Sequence, residues 1–211
     1  MVSRSTPAYS VHPSVAYVQA ILKNLKGLTG RDLDEWLAFV KAKGPGTEKE
    51  RRSWLKAQGL GSTQAWFLAE RSVGASAHAF DDTPEGYLAL APQYVDRQFS
   101  EKKAPLRPLA DQLLNLCRDL GPDARVCPCE TIIPIYREHV IAQVKALASR
   151  LDFSLALGDP ALVRDASGRL IDTGGFQKKD RLTHRLEVRA EADIDEVLKG
   201  FLKRAYDRDI K

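Results

Sequence analysis

Residues 140–157, VIAQVKALASRLDFSLAL, decide the class of fold. From Leu151 to Leu155, apolar residues alternate with polar ones, and looser alternation runs through residues 140–145. A period of two places successive side chains on opposite faces of a strand. Residues 182–188, LTHRLEV, repeat the pattern. These stretches therefore predict an antiparallel sheet with one buried face and one solvated face.

Helical patterns flank these strands. Leucines recur at intervals of three and four from Leu106 to Leu120, and Gly121-Pro122 follows. A last helix is predicted to open at Asp193, with Glu196 three residues later. We expect four or five strands in a meander between these helices, which cover one sheet face. Residues 105–211 thus predict an α+β domain.

The first 75 residues predict four short amphipathic helices instead of strands. Thr47 and Glu50 form a capping box that opens the third helix, Gly59 closes it, and Ser62 can cap the fourth. Such helices can share one small core. The whole chain is therefore predicted to be α+β: a small all-α helical module (1–75), a helical linker (76–104) and the antiparallel sheet with helices packed on one face.

Charge and hydropathy limit the class of protein. The chain has 211 residues, with 32 Lys and Arg against 28 Asp and Glu, a net charge of +4. Residues 1–75 hold 11 basic and 6 acidic side chains, a net +5 that suits contact with phosphates or acidic proteins. No run of 18 apolar residues occurs, so no membrane partner is expected. No apolar leader precedes the first helix, which predicts a cytoplasmic location.

The cysteines do not form a recognisable metal or disulfide pattern. There are three, Cys117, Cys127 and Cys129, an odd number. One Cys-x-Cys with His139 ten residues later lacks the second ligand pair of a structural zinc site. The sequence therefore assigns no metal and no cofactor, and predicts the cysteines to be small buried apolar residues.

Enzyme motifs are missing as well. The chain contains no GxxxxGK[ST], HExxH, GxSxG or GxGxxG. No catalytic residue is assigned, and a non-enzymatic role is favoured.

The turn Gly59-Leu60-Gly61 is the sharpest local motif. It resembles the hairpin of helix-hairpin-helix DNA-binding modules, where backbone N–H groups point at a phosphate. Further phosphate contacts are assigned to side chains near it: Lys56, Thr63 and Gln64. The alternative is a plain helix cap followed by the start of the next helix.

A second candidate surface is the solvated face of the sheet. Lys145, Arg181 and Arg185 are assigned to it as nucleic-acid contacts, with Thr183 and Arg189 on the same side. Alternatively, Asp152 and Glu187 neutralise the arginines as cross-strand pairs. Phe153 is predicted to face inward, so this face has no aromatic platform for stacking bases.

Two parts of the chain resemble bacterial families of unknown function. Residues 15–44 and 52–70, with Trp36, Trp54-Leu55-Lys56 and the Gly-Leu-Gly turn, resemble the family numbered 4287. The family numbered 5655 is matched by LRPLADQLLNLCRDLGPD (106–123), LDFSLALG (151–158), RLTHRLEV (181–188) and DIDEVLKGFLKRAYD (193–207). Both resemblances imply the two-domain layout, and neither implies a reaction.

Three hypotheses for function follow. The first is a non-enzymatic binding or adaptor protein that contacts nucleic acid or an acidic protein. The second is a protein–protein module with an apolar patch of Tyr87, Tyr94 and Phe99 or of exposed tryptophans. The third is an enzyme with a site at His184, which the alternation places on the apolar side. The sequence indicates no oligomeric state.

Overall fold

The structure is a computed structural model that describes residues 9–73 and 82–210. Within these ranges the chain divides into a helical unit, residues 12–87, and a sheet unit, residues 88–210 together with 9–11. The start of the predicted linker, up to residue 81, lies outside the described residues. None of the helices in the described ranges has the length and hydrophobicity that crossing a membrane requires.

The helical unit contains the four helices that the sequence predicts. They are α1 (Pro13–Thr29), α2 (Leu33–Lys43), α3 (Glu48–Ala57) and α4 (Ser62–Ser72), and α5 (Pro84–Gln98) begins in this unit. The predicted capping box of Thr47 and Glu50 is present at the start of α3. Leu25, Leu55 and Phe67 are fully buried in a cluster of their own. Apolar spacing and caps therefore suffice to specify these helices.

The sheet unit is an antiparallel sheet covered by helices on one face, as predicted. After α6 (Arg107–Arg118) come six strands, and α7 (Glu196–Arg208) closes the unit. The strands are β1 (Arg125–Val126), β2 (Ile133–Tyr136), β3 (Val140–Ala146), β4 (Leu151–Leu155), β5 (Ile171–Asp172) and β6 (His184–Val188). Their spatial order is β1-β2-β3-β4-β6-β5. The sheet is thus not the predicted meander of four or five strands. β6 pairs with β4, and β5 pairs with the other side of β6, at the edge of the sheet.

The core of the sheet unit lies on one face of the sheet. Phe153 of β4 is fully buried, as the alternation predicts. It packs in the same cluster as Leu113 of α6 and Leu202 of α7. Asp152 and Ser154, whose side chains point the other way, are only partly buried. Both helices therefore cover the apolar face.

Two helix starts differ from the prediction by one or two residues. The N-cap of α7 is Asp195, whose carboxylate accepts the Leu198 N–H at 3.0 Å. Asp193 instead closes the preceding turn by accepting the Arg189 N–H at 2.7 Å. The N-cap of α4 is Gly61 and not Ser62. Neighbouring capping residues compete, and backbone conformation selects between them.

The sheet unit also includes residues that the sequence predicts to belong to the linker or to the helical module. Val95 and Phe99, inside the predicted linker 76–104, are buried in the core of the sheet unit. At the N-terminal end, the Ser10 N–H donates to the Val126 carbonyl at 2.9 Å. Residues 9–11 thus extend the hydrogen bonding at β1.

Candidate functional site

A cleft of about 680 Å³ opens in the sheet unit. Its walls come from the turn after β4, the segment between β5 and β6, and the C-terminal end of α7. The residues used below that line it are His139, Gly158, Phe176, Lys179, Arg181 and Arg208. A volume of this size is typical of a binding site for a small molecule.

The segment between β5 and β6 is a compact loop held by its own hydrogen bonds. The Lys179 N–H donates to the Phe176 carbonyl at 3.1 Å, and the Asp180 N–H donates to the Gly175 carbonyl at 2.8 Å. Lys179 has a φ of +59°, a conformation that costs free energy in any residue other than glycine. The ring of Phe176 stays 46% exposed. The loop therefore holds an aromatic ring and an ammonium group at the cleft.

Arg208, at the end of α7, lies against the backbone of Gly158. Gly158 follows β4 with a φ of +81°, and a Cβ atom there would lie 2.7 Å from the guanidinium carbon of Arg208. Only glycine leaves room for this placement. Within the described part of the chain, the side chains of Arg208 and Lys179 have no hydrogen bond and no ion pair. Two cations at the cleft are thus uncompensated.

Asp209, which is buried, forms an ion pair with the partly exposed Arg181 at the cleft. The Asp209 side chain is 3% exposed and pairs with Arg181. It also accepts the His139 backbone N–H at 2.7 Å and the His139 Nδ1–H at 2.9 Å. Burial alone would raise the pKa of Asp209, but the hydrogen bonds from His139 and the charge of Arg181 together lower it. The predicted contact residue Arg181 therefore lies at the cleft with its charge already neutralised.

His184 is buried beside the cleft and does not line it. The residue is 3% exposed, and its Nδ1 lies 2.8 Å from the Thr183 Oγ1. Burial and the nearby Arg204 lower the pKa of His184, while Asp172 raises it less, so the ring is neutral at pH 7. The predicted inward position is confirmed. A base at this position has no access to a substrate, which removes the basis for an enzyme centred on His184.

Thr183 does not belong to the solvated face, to which the alternation assigned it. Its side chain is 2% exposed and accepts the Gly158 N–H at 3.1 Å. The reason is the turn after β4, which covers this side chain at the point where β6 begins. Thr183 thus fixes the turn on which Arg208 rests.

The solvated sheet face is a network of balanced charges. Arg185 donates to Asp152 and to Glu187, each at 3.1 Å. Arg150 contacts the same two carboxylates at 2.8 and 3.3 Å. The alternative of cross-strand neutralisation is therefore confirmed for Arg185. Lys145 is exposed opposite Asp152 in the register; its contact with nucleic acid stays a prediction.

The Gly59-Leu60-Gly61 turn is a hydrogen-bonded helix cap. Gly59 has a φ of +90°, and its N–H donates to the Lys56 carbonyl at 2.9 Å. The Leu60 N–H donates to the Leu55 carbonyl at 3.2 Å, and both leucines are buried. These two N–H groups are used inside the cap. The geometry here favours the cap over the phosphate-binding hairpin.

The residues after this turn border an apolar groove. Thr63 and Gln64 line a groove of about 220 Å³ together with Tyr17 and Leu28. Tyr17 is 56% exposed and Leu28 is 69% exposed. Phosphate contact stays a prediction for four residues of this region: Lys56, Gly61, Thr63 and Gln64.

Tyr87, Tyr94 and Phe99 do not form the exposed apolar patch that was one of the predictions. Tyr87, Tyr94 and Phe99 are 3%, 2% and 5% exposed. Helical spacing identifies an apolar stripe but does not show whether another part of the fold covers it. Of the tryptophans, Trp66 is 39% exposed, whereas Trp36 is buried.

The three cysteines are free thiols. Cys117 and Cys127 are buried, and Cys129 is partly buried. Burial raises the pKa of the Cys117 and Cys127 thiols to about 12. In residues 9–73 and 82–210, no three His, Cys, Asp or Glu side chains group as metal ligands.

Most residues that give the cleft its chemistry carry no motif in the sequence. Of the eight assigned contact residues, only Arg181 lies at it. Phe176, Lys179 and Arg208 were not assigned. The available signals were glycines, Gly158 and the pair Gly174-Gly175, which mark turns where the chain approaches other groups closely.

The sheet unit thus defines a class, an α+β domain with a one-sided antiparallel sheet and a cleft at the end of its last helix. The chain belongs to a family of that kind, the domain of unknown function DUF5655, whose profile matches residues 95–209. The match includes every cleft residue named above. No curated protein and no solved structure matches the chain significantly. The helical unit, residues 12–87, lies outside the matched residues, so its resemblance to the family numbered 4287 stays a prediction.

Proposed function

We propose that this chain is a non-enzymatic binding protein that holds single-stranded nucleic acid in the cleft of its DUF5655 unit. One observation carries the proposal. The ring of Phe176 is 46% exposed beside Lys179 and Arg208, two cations without a carboxylate partner in the described residues. Single strands are bound by this combination of an aromatic ring for the base and cations for the phosphates.

The cleft is built to keep these groups in place before a ligand arrives. Gly158 and Thr183 fix the turn that supports Arg208. The Asp209–Arg181 pair joins the end of α7 to the residues before β6. A preformed site loses less conformational entropy on binding. This rigidity supports a recognition role for the exposed Phe176.

The charge balance favours a short contact over a long basic groove. Lys179, Arg181 and Arg208 line the cleft, against the carboxylates of Asp180 and Asp209. Because Asp209 pairs with Arg181, Lys179 and Arg208 remain without an ion pair in the described residues, and Asp180 brings the net charge of the lining to +1. A duplex offers no unstacked base to Phe176, so single strands are the preferred form.

Fluorescence anisotropy with labelled single-stranded and duplex oligonucleotides tests the proposal. We expect single strands to bind at micromolar protein in low salt, and duplexes of the same sequence to bind more weakly. Phe176→Leu removes the stacking ring and is expected to weaken binding about tenfold. Arg208→Gln is expected to have a similar effect.

Two control variants keep the comparison specific. Lys199→Gln removes a charge from α7 outside the cleft, and Leu162→Ala removes an exposed apolar side chain elsewhere in the unit. Both are expected to bind as the unchanged protein does. Absence of binding at low salt would overturn the proposal, as would normal binding by both Phe176→Leu and Arg208→Gln.

A further inference from the structure

A second cavity, of about 520 Å³, lies in the helical unit near the ends of α2 and α4. Three helices each contribute one cation to its lining: Lys41 from α2, Arg51 from α3 and Arg71 from α4. The residues that line it include no aspartate and no glutamate. The lining residues therefore carry a formal charge of +3, of which Asp82 offsets one through its ion pair with Arg71.

Arg51 is fixed by neutral acceptors only. Its Nε donates to the Pro45 carbonyl at 2.7 Å. Its Nη1 donates to the Ser72 carbonyl at 2.6 Å and to the Ser72 Oγ at 3.0 Å. In the described part of the chain, Nη2 has no partner and no carboxylate pairs with this guanidinium. A partly buried charge of this kind attracts an anion.

Arg71 is held rigidly at the same cavity. Its side chain is 7% exposed, pairs with Asp82 and lies 3.6 Å from the ring centroid of Phe67. Its buried Nε has no hydrogen-bond partner among residues 9–73 and 82–210. Lys41 is exposed and, among the described residues, has no ion pair. In the described residues, the Arg51 guanidinium and the Lys41 ammonium thus have no carboxylate partner, and both line the same cavity as Arg71.

We propose that this cavity binds the phosphoryl group of a small soluble molecule. Because its Nε and Nη1 are already engaged, Arg51 offers the N–H donors of Nη2 to a phosphoryl oxygen, and the Lys41 ammonium adds a point charge. The site is independent of the cleft, since it uses other residues in the other unit. It therefore adds a second ligand to the function proposed above.

The test uses the full chain and inorganic pyrophosphate, with NMR amide shifts followed during a titration. We expect saturable shifts centred on the residues around Lys41, Arg51 and Ser72, and none at the cleft. Sodium chloride at matched ionic strength should not reproduce them. Equal shifts with chloride would show simple screening and overturn the proposal.

A matched pair of charge reversals locates the site. Lys41→Glu is expected to weaken pyrophosphate binding about tenfold. Lys43→Glu makes the same change in the same last turn of α2, outside the cavity lining, and is expected to change it less than about twofold. Equal effects of the two variants would contradict a site in this cavity.

A third variant tests the guanidinium itself. Arg51→Lys keeps the charge and loses the planar donors, and we expect it to weaken pyrophosphate binding while circular dichroism stays unchanged. Acetate separates phosphoryl recognition from general anion binding. If acetate displaces pyrophosphate as well as inorganic phosphate does at equal ionic strength, the phosphoryl assignment is wrong.

Discussion

The guanidinium of Arg208 rests on the backbone of Gly158, fifty residues earlier in the chain. A Cβ atom at Gly158 would lie 2.7 Å from the Arg208 Cζ. The absence of a side chain at one residue thus decides where a charge is held at the other. Several measurable properties of the cleft depend on this contact.

Gly158→Ala is expected to displace Arg208 and weaken single-strand binding as much as Arg208→Gln does. The methyl group also makes the φ of +81° unfavourable, which lowers the free energy of unfolding by about 1 kcal/mol. Anisotropy and urea denaturation measure the two effects. Gly168→Ala is the control, since Gly168 has a φ of +68° and open space around it. It should lose stability to a similar degree and bind normally; equal binding loss in both variants would contradict the contact.

Salt dependence of binding reports the number of phosphate contacts. Two free cations at the cleft predict a slope of about −1.4 for log Kobs against log [NaCl] with single strands. Arg208→Gln should reduce the steepness by about 0.7. A slope several times steeper would place the contacts on a wider surface, including the predicted Lys145.

Asp209→Asn is expected to lower the free energy of unfolding by about 1–3 kcal/mol at pH 7, because it weakens buried charged hydrogen bonds. The pKa of Asp209 is lowered in the folded protein. Its stabilisation is therefore complete above the unfolded pKa of about 4 and disappears as the pH falls through the lower folded pKa. Urea denaturation between pH 7 and pH 3 should show the variant and the parent converging at low pH.

Asp207→Asn is the matched control for that experiment. Asp207 lies on the same helix and pairs with Lys203 at the surface, where the lysine is 69% exposed. The substitution should cost less than about 0.5 kcal/mol at any pH. A parallel pH dependence in both variants would show that the effect does not come from the buried carboxylate.

Thiol labelling should separate the three cysteines. Cys117 and Cys127 have pKa values raised to about 12 by burial, so at pH 8 they are almost entirely protonated and unreactive. Cys129, which is partly buried, should react first with a disulfide reagent. We expect one fast equivalent in the folded protein and three in urea. Cys129→Ser should remove the fast phase; its persistence would contradict the described burial.

The sequence predicts those parts of the fold that depend on neighbours in the chain. Leu151, Phe153 and Leu155 alternate with polar residues because one sheet face is covered, and that pattern is local. The pairing of Arg185 with Asp152 was foreseeable for the same reason, since alternation places both on one face. Alternation also places Thr183 on the solvated face, and it fails there because the turn at Gly158 covers the side chain, which is a contact between distant residues.

The cleft depends on distant relationships that leave little local trace. Nothing near Arg208 indicates that its guanidinium rests on Gly158. Phe176 reads as an ordinary loop residue until its exposure is known. Likewise, the helical spacing of Tyr87 and Tyr94 predicts an apolar stripe but not its burial. Burial of this kind depends on packing between elements, which periodicity does not encode.

The two outermost strands of the sheet, β1 and β5, are each two residues long. A strand so short leaves few unsatisfied backbone groups at the sheet's edges, where another chain could otherwise add a strand. A strand added from another chain would therefore find only a two-residue template at β1 or at β5, which disfavours edge-to-edge pairing at these strands.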